Sequence, residues 1–411
     1  MTLLEKLKDQ ILIADGAMGT LLYSYGTGTC FEELNLSHSE DILNIHRAYI
    51  EAGADVIQTN TYAANAYKLQ RYGLEDQVKE INRAAVKIAR EAAGHDIFVL
   101  GTIGGNRGIR PQTVPLEDII TSVREQLFVL LEEDVDGILF ETYYDLEELE
   151  TVLKIARKET DLPIITHVTL QEIGILQDRT PLNEAFERLE SLGADVVGLN
   201  CRLGPHHMLK SLEQVNIPKK AYLSAYPNAG FPLFKDGKIQ FEKNAEYFRD
   251  TAQAFRKQGV RLIGGCCGTT PAHIKALADE LKGAPVVVQK EVKVVVKEPV
   301  VVKPKKPVRT EPPLQTIVKQ RPSVIVELDP PRKLHTEKFF EGARELKKAG
   351  IDAITLADNS LASPRISNSA LGYLTKTKIG LLPVIHITCR DRNIIGLQSH
   401  LMGLHVLGLH D

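Results

Sequence analysis

Three of the five cysteines stand where chemistry can be done. Cys201 closes the run ADVVGLNC, and Cys266 and Cys267 close the run VRLIGGCC. Thiolates are soft ligands, and three of them leave the fourth position of a tetrahedral zinc open to a substrate. The spacing matches no zinc finger, so only a fold that brings the two run ends together makes such a site. Buried inert thiols are a competing reading for Cys201, and a vicinal disulfide for the adjacent pair. A third reading takes GGCCGTTPAHI as a glycine-rich phosphate grip, with Thr270 as N-cap and Pro271 opening a helix.

Carboxylates form a second set. Asp15 follows ILIA and Glu141 follows GILF, and a carboxylate buried there is costly unless it meets a cation or several donors. An amino-acid ligand answers both needs. Its ammonium meets Asp15 and Glu141, and its carboxylate meets the backbone amides of Gly16, Ala17, Met18 and Gly19. Hydrogen bonds to neighbouring loops are the alternative. Asn200, next to Cys201, belongs to the same group, whereas His167 lies within an apolar run and reads as structural.

These residues need elements to hold them. Eight short apolar runs (ILIAD, ADVIQTN, IFVLGTIG, DGILFET, PIITHVTL, ADVVGLNC, KAYLSAYPN, VRLIGGCC) alternate with stretches whose apolar residues return every three or four positions. Eight strand-helix units over residues 1–284 are the arithmetic of an α/β fold of the (β/α)8 TIM-barrel type, with an open doubly wound sheet as the alternative. In such a barrel, function collects at the C-terminal strand ends. Polar residues fall there in excess: Asp15, Asn60, Asn106, Glu141, Asn200, Cys201, Asn228, Cys266 and Cys267.

From Pro285 to Pro322 the composition changes, with seven prolines, twelve valines and no glycine, which predicts an extended spacer at 285–322. Three more units follow in 323–411 (SVIVELDPP, IDAITLADN, LPVIHITCRD). They predict an incomplete second β/α barrel with an unprotected strand edge.

The whole chain has 411 residues, 43% hydrophobic and 25% charged, with a formal net charge of -3. That size predicts two domains, and the charge gives no reason to expect nucleic acid or a membrane as partner. Five cysteines are too few for a secreted disulfide framework, and no run of eighteen apolar residues occurs, so a cytoplasmic protein is expected.

The motifs DGAMGT from Asp15, EAGADVIQTNTY from Glu51, GLNC ending at Cys201 and GGCCGTTP from Gly264 resemble the zinc-dependent homocysteine S-methyltransferase family across residues 1–284. The resemblance implies zinc on Cys201, Cys266 and Cys267. It also implies homocysteine held by Asp15 and Glu141, with a methyl group transferred to its sulfur. The donor is left open among S-methylmethionine, S-adenosylmethionine and methyltetrahydrofolate. From Ser323, VIVELDPPR and HITCRDRN resemble the opening of methylenetetrahydrofolate reductases, with Leu328 and Asp329 in place of two aromatics. That implies Glu327 as proton donor, Thr355 and His386 near FAD, and folate as a substrate of a complete reductase. The combined order resembles the bacterial bifunctional methyltransferase-reductase family, cut short, so three units predict no reductase activity. Two rival readings remain: a zinc-binding domain without turnover, and a flavin reductase whose first barrel is only a partner domain.

Overall fold

A computed structural model describes residues 1–26, 30–108, 115–230, 233–235, 238–241, 244–292, 314–359, 363–389 and 392–411. The chain divides into two compact units, Met1–Val296 and Lys297–Asp411.

In the first unit, eight parallel strands form one sheet: β1 (Leu12–Ile13), β2 (Val56–Gln58), β3 (Phe98–Gly104), β4 (Gly137–Tyr143), β5 (Ile164–Val168), β6 (Val196–Asn200), β7 (Tyr222–Tyr226) and β10 (Val260–Ile263). Their order is β1-β10-β7-β6-β5-β4-β3-β2. Ala14 bridges to Val56 in parallel, which brings β1 against β2 and turns the sheet into a nearly closed barrel. The open doubly wound alternative falls on that contact. Between β7 and β10 lies an antiparallel hairpin, β8 (Leu233–Lys235) with β9 (Lys238–Gln240).

Alternation along the strands splits the core in two. Ile13, Ile57, Val99, Ile138, Ile164 and Ile263 pack outward with the helices. Leu12, Val56, Leu100, Leu139, Ile165 and Leu262 pack in a separate cluster, which Leu3 and Leu7 of the helix Leu3–Asp9 join. Arg261 holds that helix by donating to the carbonyls of Leu7 at 2.7 Å and Lys8 at 2.6 Å.

One device recurs at the N-terminal strand ends. Asp55, just before β2, accepts from the Ile13 amide of β1 at 2.9 Å. Asp136, before β4, accepts from the Val99 amide of β3 at 2.7 Å, and Asp195, before β6, from the Ile164 amide of β5 at 2.9 Å. Each aspartate is also paired with a cation: Lys282, Arg90 and Arg157 respectively. A strand-end donor with no ladder partner is thereby satisfied by a charged acceptor.

The second unit holds three parallel strands in the order β11 (Ile325–Glu327), β12 (Ala353–Leu356), β13 (Leu382–Ile385). Its core is a separate cluster around Phe339, Ile354, Leu356, Leu371 and Leu404. Asp352 repeats the device, accepting from the Val324 amide at 2.9 Å and pairing with Arg321. The β13 edge is partly covered, because the Ile385 amide donates to the Asp411 carbonyl at 2.9 Å.

The spacer expected at 285–322 needs correction at both ends, while 293–313 lies outside the described residues. At its start, Val286 packs on the barrel core and Lys290 donates to the Leu212 carbonyl at 2.7 Å. At its end, Leu314–Gln320 is a helix. The paired prolines 312 and 313 precede that helix rather than interrupt it, and a proline at a helix start costs little. Among the described residues no helix is long and apolar enough to cross a membrane.

Asp195→Ala removes both the acceptor for Ile164 and the partner of Arg157. Because the carboxylate is partly solvent-screened, the expected loss is about 1 to 2 kcal/mol, read as a lower urea midpoint at unchanged slope.

Candidate functional site

The three sulfurs do come together. The Sγ atoms of Cys201, Cys266 and Cys267 all lie within 4.8 Å of one another, and Cys201 and Cys267 are 3.7 Å apart. All five cysteines are free thiols, so the adjacent pair is not a vicinal disulfide. Among the described residues no histidine, aspartate or glutamate joins the cluster as a fourth ligand.

The local backbone explains how distant residues meet. β6 ends at Asn200, and Cys201 and Arg202 both take left-handed φ values of +59°. Two consecutive non-glycine residues in that region store strain, which the surroundings must impose. Here the Cys201 amide donates to the Tyr226 carbonyl of β7 at 3.2 Å. β10 ends at Ile263, so Cys266 and Cys267 lie beyond the strand and escape its alternation. The Cys266 amide donates to the Pro227 carbonyl at 2.9 Å, and Ala229 donates to the Cys267 carbonyl at 3.0 Å. The extension of β7 therefore binds both cysteine-bearing segments.

The phosphate-grip reading fails on the same loop. Thr270 is the N-cap of the helix Pro271–Leu281, as its sequence predicts. Yet the loop amides are already engaged: Gly265 with the Asp15 carbonyl, Gly268 with Thr20 Oγ1, Thr269 with the Cys266 carbonyl and Thr270 with His273 Nδ1. A phosphate needs such amides free.

Asp15 is buried and accepts from Gln58 twice, from its amide at 2.9 Å and from Nε2 at 2.8 Å. Burial nevertheless outweighs these bonds and pushes its carboxyl up to about 7. Glu141 accepts from Asn200 Nδ2 at 3.0 Å, and burial, with the charges of Cys201 and Asp15, pushes it up to about 8. Asn200 also donates to Thr142 Oγ1 at 2.7 Å and accepts from the Thr142 amide at 3.0 Å. That pair of bonds holds Thr142 at a φ of +60°, a costly value for a β-branched residue. The Asn200 amide also lies 3.6 Å from Cys266 Sγ. Hydrogen bonds from Cys266 and Cys267 hold the Cys201 thiol well below its usual range, and those two are pushed up in turn, Cys267 to about 12.

The glycine-bearing turn after β1 is narrower than its sequence suggests. The Ala17 amide donates to Thr269 Oγ1 at 3.0 Å and is spent, which leaves Gly16, Met18 and Gly19 for a ligand carboxylate. Several other polar strand ends serve the scaffold. Asn60 bonds Phe31 and Asn35, and Asn106 bonds the buried Glu148. Asn228 is different, since its side chain helps to lower the Cys201 thiol.

Gln58, Tyr62 and Tyr144 were not singled out from the sequence, although QTNTY and ETYY stand directly at the ends of the second and fourth apolar runs. The charges of Glu141, Cys201 and Cys266 act on the Tyr62 phenol, and those of all three cysteines on Tyr144. In the second unit, Glu327 pairs in register with Thr355, and His386 follows β13 with its amide on the Leu356 carbonyl at 3.1 Å. Glu327 and His386 are exposed. The buried group there is Asp358, paired with Arg392 and accepting from the Thr388 amide at 2.8 Å.

The C-terminal strand ends of this β/α barrel carry the buried Asp15, the half-buried Glu141 and three thiols at a spacing that could hold a metal ion. The comparisons with known proteins go further. The family described as Homocysteine S-methyltransferase matches residues 12–281, and the chain belongs to that family. It is 30% identical over 299 residues to a methionine synthase of Mycobacterium leprae, covering 67% of this chain and 25% of that protein. The chain thus spans about a quarter of that relative's length. An S-methylmethionine–homocysteine S-methyltransferase, BHMT2, of Pongo abelii is 32% identical over 302 residues, 68% of this chain and 81% of its own. Among solved structures, the metallated homocysteine methyltransferase MmuM of Escherichia coli superposes with a TM-score of 0.57 at 26% identity, covering 66% of this chain and 96% of that one.

Beneath the site, His167 Nε2 lies 2.9 Å from Ser224 Oγ and its ring packs edge-on against Tyr226. Burial drives His167 down to about 3. The folded protein keeps it neutral while the unfolded chain protonates below about pH 6.5, so its share of stability is present above that pH and lost as pH falls toward 3. Between pH 7 and pH 5 this one group costs about 2 kcal/mol. His167→Gln is expected to flatten the urea stability profile by that amount over the same interval, whatever its effect at pH 7.

Proposed function

We propose that this chain transfers a methyl group to the thiol of homocysteine, giving methionine, with zinc held by Cys201, Cys266 and Cys267. The observation that carries the reading is the three-sulfur cluster with no fourth side-chain ligand among the described residues, lying beside the half-buried Glu141. The donor set fits zinc, since three thiols at mutual ligand distance are what a tetrahedral site with one open position needs. Zinc, when bound, lets a coordinated thiol ionise near neutral pH.

The chain's own residues bind and orient. Asp15 is buried and Glu141 half-buried, withdrawal from water raises both carboxyls, and an amino-acid ammonium supplies a cation to both. The amides of Gly16, Met18 and Gly19 are left for its carboxylate. Asn200 fixes Glu141 and Cys266 relative to each other, so the ammonium and the sulfur of one ligand are placed by one side chain. In the transfer a bond forms between the homocysteine sulfur and the methyl carbon, the donor's heteroatom–methyl bond breaks, and the thiol proton leaves. Free thiols at the site favour a reducing, cytoplasmic setting. The methyl donor stays open among the three named above.

For the second unit the proposal is part of a methylenetetrahydrofolate reductase. It is supported by Glu327 and Thr355 side by side at the ends of parallel strands. The described residues do not fit a flavin site, because Glu327 and His386 face solvent on a three-stranded sheet. FAD, folate and reductase turnover are therefore proposed only for a chain that supplies the remaining strands.

Elemental analysis is expected to find about one zinc per chain in the wild type, in Cys30→Ser and in Cys389→Ser. It should find none in the triple Ser variant of Cys201, Cys266 and Cys267. Stoichiometric zinc in that triple variant overturns the site.

Glu141→Gln is expected to keep zinc but weaken homocysteine about ten- to a hundredfold, the worth of one charge-assisted hydrogen bond in a dry site. Calorimetric titration reads it, and unchanged affinity removes Glu141 from the ammonium site.

A further inference from the structure

The segment after β2 is gripped along its length. The Thr61 carbonyl accepts from Gln126 Nε2 at 2.7 Å, and the Ala63 amide donates to the buried Glu32 at 2.9 Å. Between them stands Tyr62, whose carbonyl accepts from the Gly104 amide at 3.0 Å and from Lys68 Nζ at 3.2 Å. The same ammonium donates to the Gly104 carbonyl at 3.1 Å and lies 4.1 Å from the centre of the Tyr62 ring. The ring covers Gly104 so closely that a Cβ there would come within 2.4 Å of it.

Lys68 thus ties the β2 extension to the last residue of β3 and backs an aromatic ring by a cation–π contact. Gly104, beneath that ring, stands in register with Glu141 of β4, and the charges of Glu141, Cys201 and Cys266 act on the phenol. Burial, with the charge of Arg71, pushes the Lys68 ammonium down to about 8, and the charges of Glu32, Glu148 and Glu141 oppose that. A lysine that only filled surface would not need two backbone carbonyls and a ring at once.

We propose that Lys68 is a positioning residue of the homocysteine site, acting through Tyr62. The inference rests on the function proposed above. Its test is homocysteine titration of the zinc-loaded full chain, with zinc content and melting temperature measured in parallel. Lys68→Met is expected to weaken homocysteine about five- to twentyfold with zinc unchanged, and Lys68→Arg to restore most of the loss. In a Tyr62→Leu background, Lys68→Met is expected to add less than about twofold, because residues acting through one another are not additive.

Wild-type affinity in Lys68→Met overturns the inference, and so does a Lys68→Met penalty that persists in full without the Tyr62 ring. If Lys68→Met does not fold, Tyr62→Leu carries the test alone: a comparable loss supports the inference, and no loss overturns it. A wild-type chain that holds zinc yet does not bind homocysteine instead overturns the reading of the site, which keeps the two failures apart.

Discussion

One hydroxyl joins the two ends of the barrel. Thr269 Oγ1 accepts from the Ala17 amide at 3.0 Å and donates to the Cys266 carbonyl at 2.7 Å. The turn that presents Asp15 and the loop that presents Cys266 and Cys267 are therefore one hydrogen-bonded body, although some 250 residues of chain separate Ala17 from Thr269. The glycines are dictated by that closeness. A Cβ on Gly16 would meet Thr269 Oγ1 at 2.6 Å, and one on Gly265 would meet it at 2.5 Å. Both motifs, DGAMGT and GGCCGTTP, are thus two halves of one contact, and the parallel pairing of β1 with β10 makes the contact possible.

A second constraint concerns direction. Strand ends point functional groups along the barrel axis, whereas sulfur atoms from neighbouring strands must converge sideways to share an ion. The left-handed residues Thr142, Cys201 and Arg202 supply that change of course, at a cost on the order of 1 kcal/mol or more each. Asn200 returns part of it through its bonds to Thr142 and Glu141. Strain and buried polar bonding occur together here because neither persists alone: the turns need the bonds to hold them, and the side-chain amide needs the turns to reach its partners.

The barrel was legible in the sequence because each parallel strand is covered on both faces and so reads as a short apolar run, bounded by the polar residue at its mouth. The cysteine cluster was legible by the same logic, since position at a strand end substitutes for sequence spacing. What could not be read there is contact between loops. Nothing in DGAMGT says that the Ala17 amide is spent on a threonine far along the chain, or that Lys68 reaches Tyr62 and Gly104. The hairpin β8–β9 did leave a trace, the Asp-Gly pair of LFKDGKIQ between alternating residues, which is a strong local hairpin signature. The helix Leu314–Gln320 was hidden by proline content counted over a whole segment, when only the position of each proline relative to the helix start decides.

The aspartate that precedes β2, β4 and β6 also precedes β12, so both units obey the same local rule for satisfying an amide at the start of a neighbouring strand. The rule does not make a site. β3 is buried at all seven positions, while β11 has its two end residues exposed, Glu327 among them. In the first unit, closure withdraws the strand ends from water, and that withdrawal is the main cause that raises Asp15 and Glu141. Glu327 and Thr355 are in register, as neighbours across a barrel mouth must be, but three strands enclose no mouth. Enclosure therefore counts before residue type: of two carboxyls at the same kind of strand end, Asp15 is buried and pushed up in pKa while Glu327 is exposed.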